Sequence, residues 1–334
     1  MRALVREWGK MVFKDDYDKP KVGSENVLIR IKAAAINPVD YKAPKIILGS
    51  VVGLDFAGVI ESIGKNVTDF AVGDEVYGKV NGSLADYAVA DTKVIALKPK
   101  NLSFTDAAAI PLTYLTSLQA LRDGGSLMKG GRVLIIGASG GCGIAAIQLA
   151  RSMGAKTVVA VCSGKNEELV KSHGADEVID YRKHDVVKYF QNESSVDIPD
   201  SLKFDVIYDA ATASGGGEDY RSKSIQLLCE EGPSRAHGQY VAINGGPDFW
   251  LRHFTIGQKK NQHLIITNNN NTDLKLLSKL ADDGWVTEDG EKRCLSPVID
   301  SLLPFTSENV QNGFELLKSR RAAGKIVFNL SIEE

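Results

Sequence analysis

Residues 134–150 read LIIGASGGCGIAAIQLA: an apolar run, a cluster of small residues, then a helical repeat. Two unrelated chemistries use a strand, a tight turn and a helix in that order. Gly137, Ser139 and Gly141 fit G-x-S-x-G, the turn that presents a nucleophilic serine in hydrolases. Gly137, Gly140 and Gly143, three apart, fit a loop whose backbone closes on a phosphate.

Context separates the two. A hydrolase elbow follows several α/β units, whereas this run opens the first of them. Apolar stretches of strand length recur after it: RVLIIG, TVVAVC, EVIDY, DVIYDA, QYVAIN and HLIIT. They do not alternate polar with apolar, and helical segments such as NEELVKSHG separate most of them. Strands covered on both faces read this way, so a doubly wound six-stranded parallel sheet is expected. Ser139 then serves a cradle of main-chain amides at a helix N-terminus, where the dipole favours an anion. Gly137, Ser139, Gly140, Gly141, Cys142 and Gly143 are its members, Cys142 contributing an amide rather than a thiol. A serine hydrolase built on Ser139 is the distant alternative.

Residues before about 110 are different. NVLIRIKAAAI and AGVIESIG are β-rich and punctuated by Gly, Asn and Asp, which implies a compact sheet or barrel. SFTDAAAIPLTYLTSLQAL turns helical, with Ser103 or Thr105 as N-cap and Pro111 dividing two helices. NNNN, from residue 268, reads as a solvated turn. The tail, from SPVIDSLLPF to GKIVFNL, returns to strand texture and is expected to pack on the first domain.

The 334 residues suffice for two domains, and a hydrophobic content of 43% with 25% charged residues is ordinary globular material. The net charge of −2 leaves no footprint for nucleic acid or an anionic membrane. No apolar run approaches the roughly 18 residues that span a bilayer. The start MRALVREWGKMVFKDD lacks a signal-peptide core, and NLSIEE carries no lipidation or peroxisomal address. Four scattered cysteines and five unpaired histidines give no zinc or disulfide framework. A cytoplasmic location, or an organelle interior, is expected.

The end of the second strand selects the dinucleotide. NAD sites place an acid there for the ribose 2′-hydroxyl. Here VCSGKN offers Ser163 and Lys165 instead, and Tyr181 at the end of the third strand reaches the same place. A hydroxyl and an ammonium suit a 2′-phosphate, so the cofactor expected is NADPH.

GASGGCGIAAIQLA, VKSHGADEVIDYRK, INPVDYK, IPLTYLTSLQAL and GKIVFNL, in that order, resemble the zinc-free quinone oxidoreductase branch of the medium-chain dehydrogenase/reductase superfamily, which includes the zeta-crystallins. The resemblance implies a GroES-like domain (1–116 with 269–334), a Rossmann domain (117–268) and NADPH in the cleft between them. It also implies a homodimer paired through the strand at His263–Thr267. Thr116, Asn244, Thr267 and Arg321 would line the nicotinamide half. Zinc-containing members have cysteine where Asn37 stands and histidine where Leu54 stands, so no metal is expected.

Without a metal, the plausible substrate is a small electrophile: a quinone or an α,β-unsaturated carbonyl. Its oxygen gains negative charge and needs a hydrogen-bond donor. Asn37 offers an amide for positioning and Tyr41 a phenol as proton donor, or merely a packed ring. Asp40 orders their loop through backbone hydrogen bonds. Relative to that family, the loop between Asp40 and Gly53 is short, which predicts an open substrate pocket, and residues 212–238 are an insertion. A catalytically idle NADPH-binding protein is the alternative from another class.

Overall fold

The computed structural model describes residues 1–43, 45–191, 197–212, 219–230, 237–257 and 259–331. Residues 213–218 and 231–236 of the 212–238 insertion lie outside them. In chain order the first part carries β1 (Ala3–Glu7), β2 (Lys10–Lys14), β3 (Asn26–Ile36), α1 (Pro38–Lys42), α2 (Lys45–Leu48), β4 (Asp55–Ile63), β5 (Glu75–Lys79), β6 (Tyr87–Asp91), β7 (Ile95–Leu97), α3 (Phe104–Ala108) and α4 (Pro111–Gln119). Then come β8 (Arg132–Ile136), α5 (Gly141–Ser152), β9 (Thr157–Cys162), α6 (Glu167–Ser172), β10 (Glu177–Asp180), β11 (Val206–Asp209), α7 (Tyr220–Ser224), β12 (Gln239–Ala242), α8 (Pro247–Leu251) and β13 (Gln262–Leu264). The chain finishes with α9 (Asn271–Asp282), β14 (Trp285–Val286), β15 (Lys292–Arg293), β16 (Ile299–Pro304), α10 (Ser307–Ser319) and β17 (Lys325–Asn329).

The chain divides into two compact units. One comprises Met1–Leu115, Asn268–Gly284 and Cys294–Glu334, the other Thr116–Thr267 and Trp285–Arg293.

The first unit is built on a seven-stranded sheet in the order β16-β17-β3-β4-β5-β7, with β6 also on β3. Its long strand β3 changes partner along one edge: residues 26–30 pair with β6 and 33–36 with β17. Val27, Ile29, Ile31, Phe56, Ile60 and Phe328 fill the core between the sheet and its returns. β17 therefore inserts between β16 and β3 of a sheet begun at Asn26, and this placement brings Lys325 beside Asp55. Ser103 caps α3 and Pro111 opens α4, as their residue types require. The asparagine run differs from the solvated turn expected. Asn270 caps α9, its side chain accepting from the Asp273 amide at 2.7 Å, because an amide oxygen satisfies an N–H that the helix cannot.

The second unit is the doubly wound sheet. Its order, β10-β9-β8-β11-β12-β13, is parallel throughout and places β8 at the reversal of strand order. Val133–Ile136 and Val158–Val161 are buried on both faces, which explains why these strands do not alternate. α5 is buried along Gly143–Ala150 because its small residues let it approach the sheet closely. No helix among the described residues is long and apolar enough to cross a membrane.

Candidate functional site

The turn after β8 lies at the C-terminal end of the strands and opens α5. Each glycine has its own cause. Gly137 has φ +79°, the left-handed region where a side chain is strained. A Cβ at Gly143 would sit 2.3 Å from the Gly137 carbonyl oxygen, so the return of the helix against the turn forbids one. Gly140 is the exception: a Cβ there meets nothing closer than 3.6 Å. The fold does not demand a glycine at 140, since a methyl there would make only an ordinary van der Waals contact. The first intrahelical hydrogen bond runs from Ile144 N–H to Gly140 O, and the amides of Gly141 and Gly143 precede it. Ser117 Oγ donates to the Cys142 carbonyl at 2.8 Å and lies 3.1 Å from the Tyr208 hydroxyl, which pins the turn from behind. These features fit a diphosphate. Nδ1 of His173 contacts Leu169 and Ser172 and Nε2 of His263 contacts Gln239, away from Ser139.

The remaining residues of that unit fall into two groups. At the end of β9, Ser163 is buried with its hydroxyl 3.4 Å from the Asn166 amide nitrogen, and Lys165 is exposed. Tyr181 is exposed beyond β10, with the Arg182 guanidinium 5.9 Å from its ring centroid. An acid that the strand-end argument overlooked stands here: a Cβ on Gly164 would meet Asp180 Oδ2 at 2.7 Å. Its charge is shared, since Asp180 accepts from the Arg182 amide and faces Lys183 at 3.9 Å. Elsewhere, the hydroxyls of Thr116 and Thr267 meet in a hydrogen bond, and Asn244 Oδ1 accepts from Trp250 Nε1 at 3.3 Å. Arg321 belongs to the first unit, exposed just after α10.

In the first unit the residues before and within α1 meet a buried polar cluster. Pro38 starts the helix, and Asp40 Oδ2 accepts from the Asn37 amide at 2.7 Å, which ties the helix to its own entrance. This is the backbone role expected of Asp40. Asn37 Nδ2 donates to Asp55 Oδ2 at 2.8 Å. Lys325 Nζ donates to Asn37 Oδ1 at 2.5 Å, to Asp55 Oδ2 at 3.0 Å and to the Ile36 carbonyl at 3.3 Å. Asp55 Oδ1 accepts the Leu112 amide at 2.9 Å. The ammonium fixes the orientation of the Asn37 amide, because only the oxygen can face it. One Nδ2 hydrogen goes to Asp55, leaving the second for a ligand. Leu54, next to Asp55, is buried and has no donor atom. Tyr41 packs against the core with Lys42 and Lys318 over its ring, at 5.9 and 5.6 Å.

Asp55 and Lys325 escaped the sequence argument, although a signal existed. An Asp in GLDFAGV and a Lys in GKIVF interrupt otherwise apolar strands, and a charge at such a position requires a partner. A separate groove of about 760 Å³, lined by Arg2, Arg30, Lys32, Asp15, Asp86 and Glu308 among others, shares no residue with this cluster. Its charges balance and select no ligand.

Comparison with known proteins agrees with the fold of both units. Residues 23–100 match the alcohol dehydrogenase GroES-like domain and residues 173–328 the zinc-binding dehydrogenase family. The 2-methylene-furan-3-one reductase of Solanum lycopersicum is 36% identical over 331 residues, 93% of this chain and 73% of that one. The chain belongs to the quinone oxidoreductase branch of the medium-chain dehydrogenase/reductase superfamily. It is therefore a nicotinamide-dependent oxidoreductase. The NADPH-dependent alkenal/one oxidoreductase of Arabidopsis thaliana chloroplasts is 33% identical, covering 92% of this chain and 73% of its own. Among solved structures, the quinone oxidoreductase from Coxiella burnetii superposes with a TM-score of 0.77 at 26% identity, covering 99% of each chain. The six-stranded Rossmann sheet and the GroES-like sheet expected from the sequence are both present.

Asp40 gives the cluster a measurable signature. Burial pushes its carboxyl up to about 7, opposed by the Asn37 hydrogen bond and reinforced by Asp55. Between the unfolded value near 3.8 and that figure, the folded chain binds the extra proton. Stability contributed by Asp40 is therefore complete at low pH and is lost as pH rises through about 7. Urea unfolding from pH 4.5 to 8 should show the wild-type chain losing on the order of a few kcal/mol relative to Asp40→Asn, which keeps an acceptor for Asn37. Parallel profiles for the two proteins would refute the assignment.

Proposed function

We propose that this protein is an NADPH-dependent reductase of quinones and α,β-unsaturated carbonyls that works without a metal. The observation that carries the reading is the Asn37 amide, locked by Lys325 and Asp55 with one N–H to spare. Bound at the glycine turn, the reduced nicotinamide cofactor supplies a hydride. The chain's own residues do the rest. Gly140 leaves the backbone bare for a diphosphate. Thr116, Thr267 and Asn244 are assigned to the nicotinamide half, together with Arg321. Asn37 holds the acceptor's oxygen, where charge develops. Conjugation already lowers the barrier to hydride addition, so a hydrogen-bond donor serves where an unconjugated carbonyl would call for a stronger acid. The donor set argues against zinc: Leu54 offers no ligand and the Asn37 oxygen is occupied by an ammonium. The printed activities of the tomato and Arabidopsis relatives support the same chemistry.

NADPH is preferred over NADH because Lys165, Arg182 and Lys183 outnumber Asp180 around the end of β9. Calorimetry should give a Kd for NADPH at least tenfold below that for NADH, about 1.4 kcal/mol. Gly140→Ala should keep the melting temperature within about 2 °C, since the fold has room for the methyl, yet weaken NADPH binding more than tenfold. Equal affinities for the two dinucleotides, or unaltered binding by Gly140→Ala, would count against the cradle.

Turnover is tested by following NADPH absorbance with a panel of quinones, enals and enones. Oxidation with at least one class is expected, and binding without turnover would indicate the idle protein. Tyr41 is the second candidate donor. Because packing already accounts for its ring, Tyr41→Phe should lower kcat/KM less than about threefold, ~0.7 kcal/mol. A larger loss gives the phenol a chemical part.

We also propose a homodimer through β13, the last strand of its sheet, with Leu251, Phe254 and Ile266 exposed in neighbouring segments. An open edge invites pairing with a second copy. Sedimentation should give twice the chain mass, and a chain that stays monomeric over the micromolar range would refute the pairing.

A further inference from the structure

Lys79 ends β5 half-buried, and among the described residues its ammonium makes no hydrogen bond or ion pair. In the β4–β5 ladder it stands directly opposite Asp55. Paired residues of an antiparallel ladder project from the same face. Asp55 projects into the cluster with Asn37 and Lys325, so the stem of Lys79 leaves the sheet beside that cluster. Burial holds its ammonium below the ordinary lysine value, with Asp55 and then Asp40 opposing the effect.

The surrounding charges do not neutralise it. Asp55 on β4 is already bonded to Lys325 of β17 and to the Asn37 amide. Asp40 on α1 accepts the Asn37 amide through Oδ2, while its Oδ1 is buried without a partner. Arg6 of β1 spends its guanidinium on the carbonyls of Asp40, Val51 and Gly49. Three cations thus face two carboxylates, and the surplus cation is the one without a partner. A half-desolvated positive charge of this kind waits for an anion, and it is worth most where water is scarce.

We propose that Lys79 is a catalytic residue that donates a hydrogen bond to the acceptor's oxygen as it becomes negative, beside the spare N–H of Asn37. This rests on the reductase reading above. In the reaction a hydride forms the new C–H bond at the β-carbon and the C=C π pair shifts toward the carbonyl. The carbonyl oxygen then carries an enolate charge and the nicotinamide is left oxidised. Water supplies the proton that completes the α-carbon. Lys79 keeps its own protons throughout and meets the charge while it exists.

The test compares wild type, Lys79→Met and Lys79→Arg with one enone that the wild type reduces. Lys79→Met should lower kcat about 100-fold with KM for the enone and Kd for NADPH nearly unchanged, because the contact forms only in the transition state. Lys79→Arg should recover most of that loss. The wild-type kcat/KM should fall on the alkaline side, below the ordinary lysine value of 10.5, as the ammonium is lost. That limb should vanish in Lys79→Arg, which settles the matter even where Lys79→Met folds poorly. Activity of Lys79→Met within threefold of wild type, or an unchanged alkaline limb in Lys79→Arg, overturns the role of Lys79 alone. If the wild type oxidises NADPH with no quinone, enal or enone, the reductase reading falls and this inference with it.

Discussion

The contact between Lys325 and Asp55 is the constraint on which the first unit's chemistry depends. Both groups are buried, and the Nζ to Oδ2 distance is 3.0 Å. Such a pair contributes little net stability compared with apolar residues of similar size, because desolvation offsets the attraction. Breaking it by removing one partner is another matter, costing about 3–5 kcal/mol. What the pair gains is orientation. It joins β17, β4 and the entrance to α1 at one point, and that point is the Asn37 side chain. An amide on a helix entrance is otherwise free to rotate or flip. Here its oxygen faces an ammonium and its nitrogen a carboxylate, so only one arrangement satisfies all three.

The second unit obeys a different constraint, close backbone approach. Gly137 and Gly143 are required by the turn and by the helix against it, whether or not a ligand is present. A motif match therefore mixes two kinds of glycine. Of the three evenly spaced glycines, Gly140 is the one that packing does not require, which is why the proposed cradle is tested there. The G-x-S-x-G alternative fails for a related reason. A nucleophile needs a base within hydrogen-bond reach, and His173 and His263 spend ring nitrogens on other groups.

Periodicity made most of the architecture legible. Six apolar runs, each too short for a helix and bounded by turn residues, became six parallel strands, because burial on both faces is a property each strand carries in its own composition. Ser103 and Pro111 marked helix boundaries for equally local reasons. The polar cluster was half legible. Asn37, Asp40 and Tyr41 lie within five residues of one another and could be read as a group. Asp55 lies 18 residues from Asn37 and Lys325 lies 288. Nothing local joins them, and only the insertion of β17 beside β3 does so. Asp180 was missed because the argument followed one strand end, whereas the carboxylate arrives from the neighbouring strand.

The two carboxylates of the cluster divide their work by environment. Asp55 accepts from an ammonium and two amide groups, so its charge is met at each oxygen. Asp40 has a single amide donor and one buried oxygen with none, and burial favours its neutral form near neutral pH. A neutral Asp40 withdraws one negative charge from the neighbourhood of Asn37 and leaves the cations in larger excess. On the reductase reading proposed above, an oxygen that acquires charge during reduction meets this cationic field. That arrangement favours acceptors whose electrons can reach an oxygen, as those of conjugated carbonyls and quinones can. It does nothing for removing a hydride from a saturated alcohol, whose proton must be taken first by a base that this cluster of donors does not provide.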